Sequence, residues 1–253
     1  YKEVARLMPE YDYVYLGDGA RAPYGNHTQD TIQRYTEEAV TYLFDKGARL
    51  IIIACNTSSA LALRYLQGKY CIGAGPAPGL KKSQVGKISP GTATGVQPRK
   101  ILGVIFPVVE KAAAITKTGH IGVVGTRGTV DSHTYDRELQ KLAPQAKIFS
   151  KACPLLVPFI EEGWHTKPEA RMILKKYLLP LKSKNIDTLI LGCTHYPFML
   201  HDFKRVMGKR TTVLNTGETV AESMKDYLKR HPEIESLLGK KGTIKFLTTN
   251  STE

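Results

Sequence analysis

The fold of this chain is decided by two similar stretches of sequence, Leu50-Ile51-Ile52-Ile53-Ala54-Cys55-Asn56-Thr57 and Thr188-Leu189-Ile190-Leu191-Gly192-Cys193-Thr194-His195. Each stretch has an apolar run, then a small residue, a cysteine and polar residues. Short apolar runs that are bounded in this way are typical of buried parallel strands. Each cysteine therefore lies at the carboxyl end of a predicted strand, which is where open α/β sheets bind their ligands.

The rest of the chain alternates between strand-like and helix-like patterns. We expect strands near residues 11–16, 50–54, 101–105, 121–124, 148–151, 188–191 and 213–214. We expect helices near residues 28–46, 58–67, 108–116, 132–142, 169–179, 200–206 and 218–230. This alternation predicts an α/β fold with mainly parallel sheets, whose loops at the strand ends carry the chemistry.

Composition narrows the class of protein. The chain has 253 residues, of which 42% are hydrophobic and 23% charged, as in an ordinary globular protein. No apolar stretch approaches the ~20 residues of a membrane span, so no membrane association is expected. Four cysteines do not resemble a secreted disulfide framework, which favours a reducing cytoplasm.

The formal net charge of +13 is large. It is compatible with a nucleic-acid surface, or with a basic surface that aids solubility and attracts anionic ligands. Because the basic residues are scattered and form no run, we favour the second interpretation and do not expect a nucleic-acid partner.

Residues 71–100 interrupt the α/β pattern. This stretch is rich in Gly, Pro, Lys and Ser and has no helical period. An irregular segment of this length is uncommon inside a compact domain. We expect an exposed, mobile insert, although its lysines could also contact a phosphate or a partner.

The two strand-end cysteines are candidate acid/base groups. An unperturbed thiol, with a pKa of about 8.5, is mostly protonated at pH 7 and needs help to become a thiolate. Cys55 precedes a predicted helix, and His195 follows Cys193 closely enough to shuttle a proton. A single buried cysteine is usually structural, and we assign Cys71 and Cys153 to that class. Two cysteines in matching contexts favour chemistry, and no metal-binding spacing occurs.

Five sequence blocks resemble a known family, the glutamate racemases of the cofactor-independent aspartate/glutamate racemase superfamily. They are residues 17–25 (GDGARAPYG), 54–57 (ACNT), 125–129 (GTRGT), 153–158 (CPLLVP) with Glu161, and 192–197 (GCTHYP). The blocks occur in family order and extend over most of the chain. The paired ACNT and GCTHYP blocks are the most specific of the five.

The resemblance implies the interconversion of L- and D-glutamate without pyridoxal phosphate, other cofactors or metal, and it implies a homodimer. The D-isomer supplies bacterial peptidoglycan. By resemblance, Cys55 and Cys193 are the acid/base thiols, one on each face of the α-carbon, and Glu161 and His195 support Cys193. The implied substrate-binding residues are Pro23, Tyr24, Gly25, Asn56, Thr57, Thr129 and Thr194.

The resemblance also predicts the domain organisation. We expect two pseudo-symmetric α/β lobes with a cleft between them, residues 1–115 plus 213–253 and residues 116–212. The family pattern starts with a strand that ends in Asp-Ser-Gly-x-Gly-Gly. The sequence as given begins at Tyr1, inside the helix that follows this strand, so the first lobe is expected to lack it and the chain as given to be weakly active or inactive.

Two alternatives remain open. Aspartate is the other candidate substrate, because it differs from glutamate by one methylene. A non-catalytic relative that binds an amino acid or a protein partner would belong to a different class. Both cysteines are retained, and this favours the enzyme.

Overall fold

The computed structural model describes residues 1–71 and 98–250. The insert predicted at residues 71–100 therefore lies outside the described residues, except at its two ends. In the described ranges, the structure contains no helix with the length and apolar character that a membrane crossing requires.

Within the described residues, all pairings between the strands are parallel, as predicted. Four strands form one sheet in the order β5-β4-β6-β7, and two further pairs, β2-β3 and β1-β8, form separate small sheets. The strands are β1 Tyr13–Gly17, β2 Leu50–Ile53, β3 Lys100–Gly103, β4 His120–Gly125, β5 Lys147–Ala152, β6 Thr188–Gly192, β7 Thr212–Val213 and β8 Ile244–Thr248.

Helices cover both faces of the four-stranded sheet and flank the small ones. They are α1 Lys2–Leu7, α2 Gln29–Asp45, α3 Asn56–Leu61, α4 Leu63–Tyr70, α5 Ile105–Ile115, α6 Arg127–Asp131, α7 Thr134–Leu142, α8 Leu156–Glu161, α9 Pro168–Lys182, α10 Leu200–Met207, α11 Thr216–Arg230 and α12 Pro232–Glu235.

The centre of the four-stranded sheet is buried on both sides. Along β6, Leu189 and Leu191 pack into one apolar cluster with α9 and α10, while Ile190 points to the opposite cluster with α5 and α7. This two-residue alternation between two apolar faces explains why the run Leu189-Ile190-Leu191 is continuously hydrophobic. Burial on both faces fixes the strand that carries Cys193.

The β2-β3 pair is held in the same way. Ile51 and Ile53 pack with Ile101 on the α2 and α4 side, while Leu50 and Ile52 contact the cluster of α1 and α11. The N-terminus of α2 is where the sequence predicts it, because the Thr28 hydroxyl accepts a hydrogen bond from the backbone N–H of Thr31 at 3.4 Å.

Several predicted elements differ from those observed. The helix predicted at residues 58–67 starts earlier and is split into α3 and α4 at Ala62, whose backbone has φ −118° and ψ −24°. The sequence pattern did not predict β8 or α8. Strand β8 is largely exposed and pairs with β1 over a separation of more than 200 residues, so its apolar pattern carries little information.

The fold is two-lobed α/β, and the lobe boundaries at residues 115/116 and 212/213 stay a prediction. Strand β7 pairs with β6 through Thr188–Thr212 and Leu189–Val213, so the four-stranded sheet extends to residue 213. The chain then enters α11, which packs against α1 and α5.

Asp187 holds the loop before β4 by hydrogen bonds. Its carboxylate accepts hydrogen bonds from the hydroxyls of Thr116, Thr118 and Thr188 and from the backbone N–H groups of Lys117 and Thr118. Partial burial alone would raise the pKa of this carboxyl, but the hydrogen bonds outweigh burial and lower it from 3.8 to about 2.

We expect Asp187→Ala to lower the free energy of unfolding at pH 7 by about 1–2 kcal/mol, after discounting for solvent exposure of the carboxylate. Because the folded-state pKa is depressed, this contribution is present above pH 3.8 and is lost as pH falls toward 2. Urea denaturation at pH 7 and pH 2.5 measures both values. Asp226→Ala, which removes an exposed ion pair with Arg230, is the control and should cost less than about 0.5 kcal/mol. An equal cost for Asp187→Ala at both pH values would contradict the assignment.

Candidate active site

The structure places both predicted cysteines at the carboxyl ends of their strands. Cys55 follows β2 and is the N-cap residue of α3, and Cys193 follows β6 directly. Burial raises the pKa of Cys193, and a negative charge on Cys55 adds to this effect. The two thiols therefore come from separate parallel sheets.

Cys193 is a buried thiol with a histidine beside it. It is 5% exposed, and burial is the main cause that raises its pKa to about 12, although the backbone N–H groups of His195 and Tyr196 favour the thiolate. The imidazole Nδ1 of His195 lies 3.8 Å from the sulfur, and its Nε2 is hydrogen-bonded to the carboxylate of Glu161. Through this arrangement, the buried Cys193 thiol can pass its proton to the more exposed imidazole of His195.

Three threonine hydroxyls form a triangle between the elements that carry the cysteines. Thr57, next to the Cys55 segment, lies 3.0 Å from the hydroxyl of Thr126 and 3.2 Å from that of Thr129, and the latter two are 3.0 Å apart. All three are buried. Gly25 packs on this triangle, since a Cβ at residue 25 would lie 2.5 Å from the Cβ of Thr126.

A buried hydrogen bond joins Asn56 to helix α7. The phenol of Tyr135, on α7, donates to Oδ1 of Asn56 at 2.6 Å. Asn56 is 5% exposed and Tyr135 is 2% exposed. The residue that follows Cys55 is therefore held by a side chain from the Cys193 half of the molecule.

The segment Pro23-Tyr24-Gly25 lies beside Cys55. The hydroxyl of Tyr24 donates to the carboxylate of Asp18. Burial and the Asp18 carboxylate raise the pKa of Tyr24, and a negative charge on Cys55 adds a smaller effect. Asp18 also accepts from Arg21 Nε at 3.0 Å and from the hydroxyl of Thr249 at 2.7 Å. Burial alone would raise the pKa of the Asp18 carboxyl, but these hydrogen bonds lower it.

Most of the predicted site residues thus lie next to Cys55 or Cys193 in the chain or are joined to these segments by hydrogen bonds. Thr194 directly follows Cys193, but its side chain is exposed and has no hydrogen bond within residues 1–71 and 98–250. Cys153 is buried in the apolar core and its pKa is raised to about 12 by burial, in agreement with a structural role. No group of three His, Cys, Asp or Glu side chains suited to a metal ion occurs in the described part of the chain.

Sequence reasoning did not assign Asp18, Thr126 or Tyr135 to the site. Asp18 and Thr126 stand inside two of the blocks that carry the family resemblance, and their short polar side chains after predicted strands are a signal that could have found them. Tyr135 has no such signal, because it occupies an apolar position of an ordinary amphipathic helix, 79 residues away from its partner Asn56.

Comparisons with known proteins agree with this geometry. A sequence model of the Asp/Glu/Hydantoin racemase family matches residues 99–237, more than half of the chain. The glutamate racemase of Geobacter metallireducens is 33% identical over 228 residues, which is 90% of this chain and 74% of that protein.

Solved structures give the same result. The crystal structure of a glutamate racemase isoform from Bacillus anthracis matches with a TM-score of 0.81 at 31% identity, covering 99% of this chain and 83% of that one. The glutamate racemase of Francisella tularensis, solved with D-glutamate, matches with a TM-score of 0.79 at 27% identity, covering 99% and 83%.

This chain belongs to the Asp/Glu/Hydantoin racemase family. Within that family, the relatives described above are glutamate racemases, so the chain is an enzyme of the amino-acid racemase class.

Proposed function

We propose that this chain interconverts L- and D-glutamate by moving a proton at the α-carbon between Cys55 and Cys193. The observation that carries the proposal is the pair of cysteines at the carboxyl ends of strands in separate sheets, where a negative charge on Cys55 adds to burial in raising the pKa of Cys193. Inversion requires one group to take a proton from one face of the carbon and another to return a proton to the opposite face.

The proton balance follows from this geometry. A thiolate takes the α-proton and becomes a thiol, and the thiol on the opposite face donates its proton to the carbon and becomes a thiolate. The enzyme is then left in the opposite protonation state, so it must exchange protons with solvent or run in reverse. His195 and Glu161 serve Cys193 in this exchange, because the imidazole lies 3.8 Å from the sulfur.

The intermediate needs stabilisation of negative charge near the substrate carboxylate. Fixed hydrogen-bond donors at that point lower the barrier more effectively than water does. In this proposal the donors and the walls of the substrate site are Asn56, Thr57, Thr129, Thr194 and the Pro23-Tyr24-Gly25 segment. Asp18 holds Tyr24 in place through the phenol hydrogen bond.

Glutamate is preferred over aspartate as the substrate. The relatives at 30% identity or more that are described above are named glutamate racemases, and the Francisella tularensis relative was solved with D-glutamate. The proposed cellular role is supply of D-glutamate for peptidoglycan, by a homodimer in the cytoplasm. No cofactor or metal is expected to take part.

The test is racemisation of the four substrates L-Glu, D-Glu, L-Asp and D-Asp in deuterated water, followed by circular dichroism and mass spectrometry. We expect glutamate to racemise faster than aspartate, and the inverted product to gain one deuterium at the α-carbon. A chelator should leave the rate unchanged. Racemisation without uptake of deuterium, or loss of activity with the chelator that added metal restores, would contradict the proposal.

A further inference from the structure

Tyr135 connects the two halves of the site, and the mechanism above gives it no role. Its ring lies on α7 and is 2% exposed. Its hydroxyl donates to the side-chain oxygen of Asn56, the residue after Cys55, at 2.6 Å. A negative charge on Cys193 raises the pKa of the Tyr135 phenol, in addition to the larger effect of burial, so the phenol is also near the second thiol and stays protonated.

The hydrogen bond decides which end of the Asn56 amide is bound to Tyr135 and which end stays available. A phenol can donate to the amide oxygen or accept from the amide nitrogen. Within the described residues, Oδ1 of Asn56 is the only acceptor bonded to the Tyr135 hydroxyl. If the amide were turned round, the buried phenol hydrogen would lose this acceptor, which costs the desolvation of a polar group. The donor end of Asn56 is therefore the end left for a ligand.

The ring of Tyr135 also packs against the chain that leads into the second thiol. A Cβ added at Gly192 would lie 3.1 Å from Cε2 and 3.6 Å from Cζ of this ring. Gly192 directly precedes Cys193. One side chain thus packs against the backbone before Cys193 and hydrogen-bonds the side chain after Cys55.

We propose that Tyr135 is a positioning residue that holds the Asn56 amide with its NH2 group toward the substrate carboxylate. The proposal rests on the proposed function, because it assigns Asn56 to glutamate binding. It differs from a packing role in one respect. A positioning role acts through Asn56 and disappears when the Asn56 amide is removed, whereas a packing role does not depend on that amide.

A double-mutant cycle separates these two roles. Tyr135→Phe keeps the ring and removes the donor, and we expect it to raise KM and the dissociation constant of glutamate by ~10- to 100-fold, with a smaller change in kcat. Asn56→Ala is expected to do the same. In the Asn56→Ala background, Tyr135→Phe should add less than about twofold, since residues that act as one unit are not additive.

A second variant tests the direction of the amide without altering Tyr135. In Asn56→Asp, the phenol still donates to one carboxylate oxygen, and the other oxygen presents negative charge to the substrate carboxylate. We expect Asn56→Asp to bind glutamate at least ~10-fold more weakly than Asn56→Ala, because like charges repel. Tyr13→Phe is the matched control: it removes a tyrosine hydroxyl bonded to the Met8 carbonyl at 2.7 Å and should leave KM within about twofold.

The outcomes are distinguishable. Equal fold-changes for Tyr135→Phe with and without the Asn56 amide, or Asn56→Asp binding as well as Asn56→Ala, would overturn the positioning role. If the wild-type chain binds glutamate but does not racemise it, the proposed function fails, and the same cycle measured as dissociation constants by calorimetry still decides the role of Tyr135. If the wild-type chain binds no glutamate, both proposals fail.

Discussion

Replacing either Cys55 or Cys193 by alanine is expected to lower racemisation by at least ~10⁴-fold, the upper end of what a positioned acid or base contributes. The reason is geometric. Each thiol is the only group proposed to exchange a proton with the α-carbon on its face. Thr194, which follows Cys193, cannot replace it, because its exposed hydroxyl is a far weaker acid than a thiol. The rate is measured from both enantiomers by circular dichroism.

The serine variants sharpen this prediction. Cys55→Ser or Cys193→Ser leaves one thiol in place, so we expect exchange of the α-proton of one enantiomer with solvent, without inversion. Cys71→Ala is the control, because Cys71 packs at the edge of the β2-β3 cluster and is not part of the site. Wild-type rates in either alanine variant at the active cysteines would refute the two-base mechanism.

The sequence predicts the strands that carry the cysteines because their burial is encoded locally. The runs at residues 50–53 and 188–192 are apolar on both sheet faces, and the structure places them in β2 and β6. The start of α2 is also local, since the Thr28 hydroxyl caps the helix within three residues. The parallel pairing follows from alternation of strands and helices.

Features that depend on long-range contacts could not be predicted from the pattern. Strand β8 is exposed and is ordered by β1 and by Asp12, whose carboxylate accepts from the backbone N–H and hydroxyl of Thr243. The break between α3 and α4 at Ala62 could not be predicted, because the residues around it favour a continuous helix. Of the three threonines in the triangle, the family resemblance indicates Thr57 and Thr129 as site residues, but it does not indicate Thr126.

Residue type alone indicates chemistry at Cys193 and His195. Cysteine and histidine next to strand ends indicate proton transfer. The structure brings these side chains together with Glu161, 34 residues before His195, which only the family resemblance indicated. Tyr135 belongs to the opposite case. Its position in the apolar face of α7 predicts burial correctly, but burial of a tyrosine ring does not reveal what its hydroxyl holds.

The second large effect concerns His195 and the pH dependence of Cys193. Because burial raises the pKa of Cys193 to about 12, this thiol is almost entirely protonated at pH 7. His195 is the group placed to take the proton, and Glu161 stabilises the imidazolium that forms. We expect His195→Gln to lower kcat/KM at pH 7 by ~10²–10⁴-fold. The loss is equal in both directions, because two enantiomers have an equilibrium constant of one.

The pH profile then distinguishes a proton relay from a packing role. Without His195, the thiol must lose its proton directly to solvent, and its ionised fraction rises about tenfold for each pH unit below the pKa of Cys193. The deficit of His195→Gln relative to the wild-type chain should therefore shrink steadily between pH 7 and pH 10. His201→Gln, an exposed histidine on α10, is the control and should follow the wild-type profile. A deficit that is the same at every pH, with the variant folded by circular dichroism throughout, would show that His195 supports Cys193 by packing and not by carrying its proton.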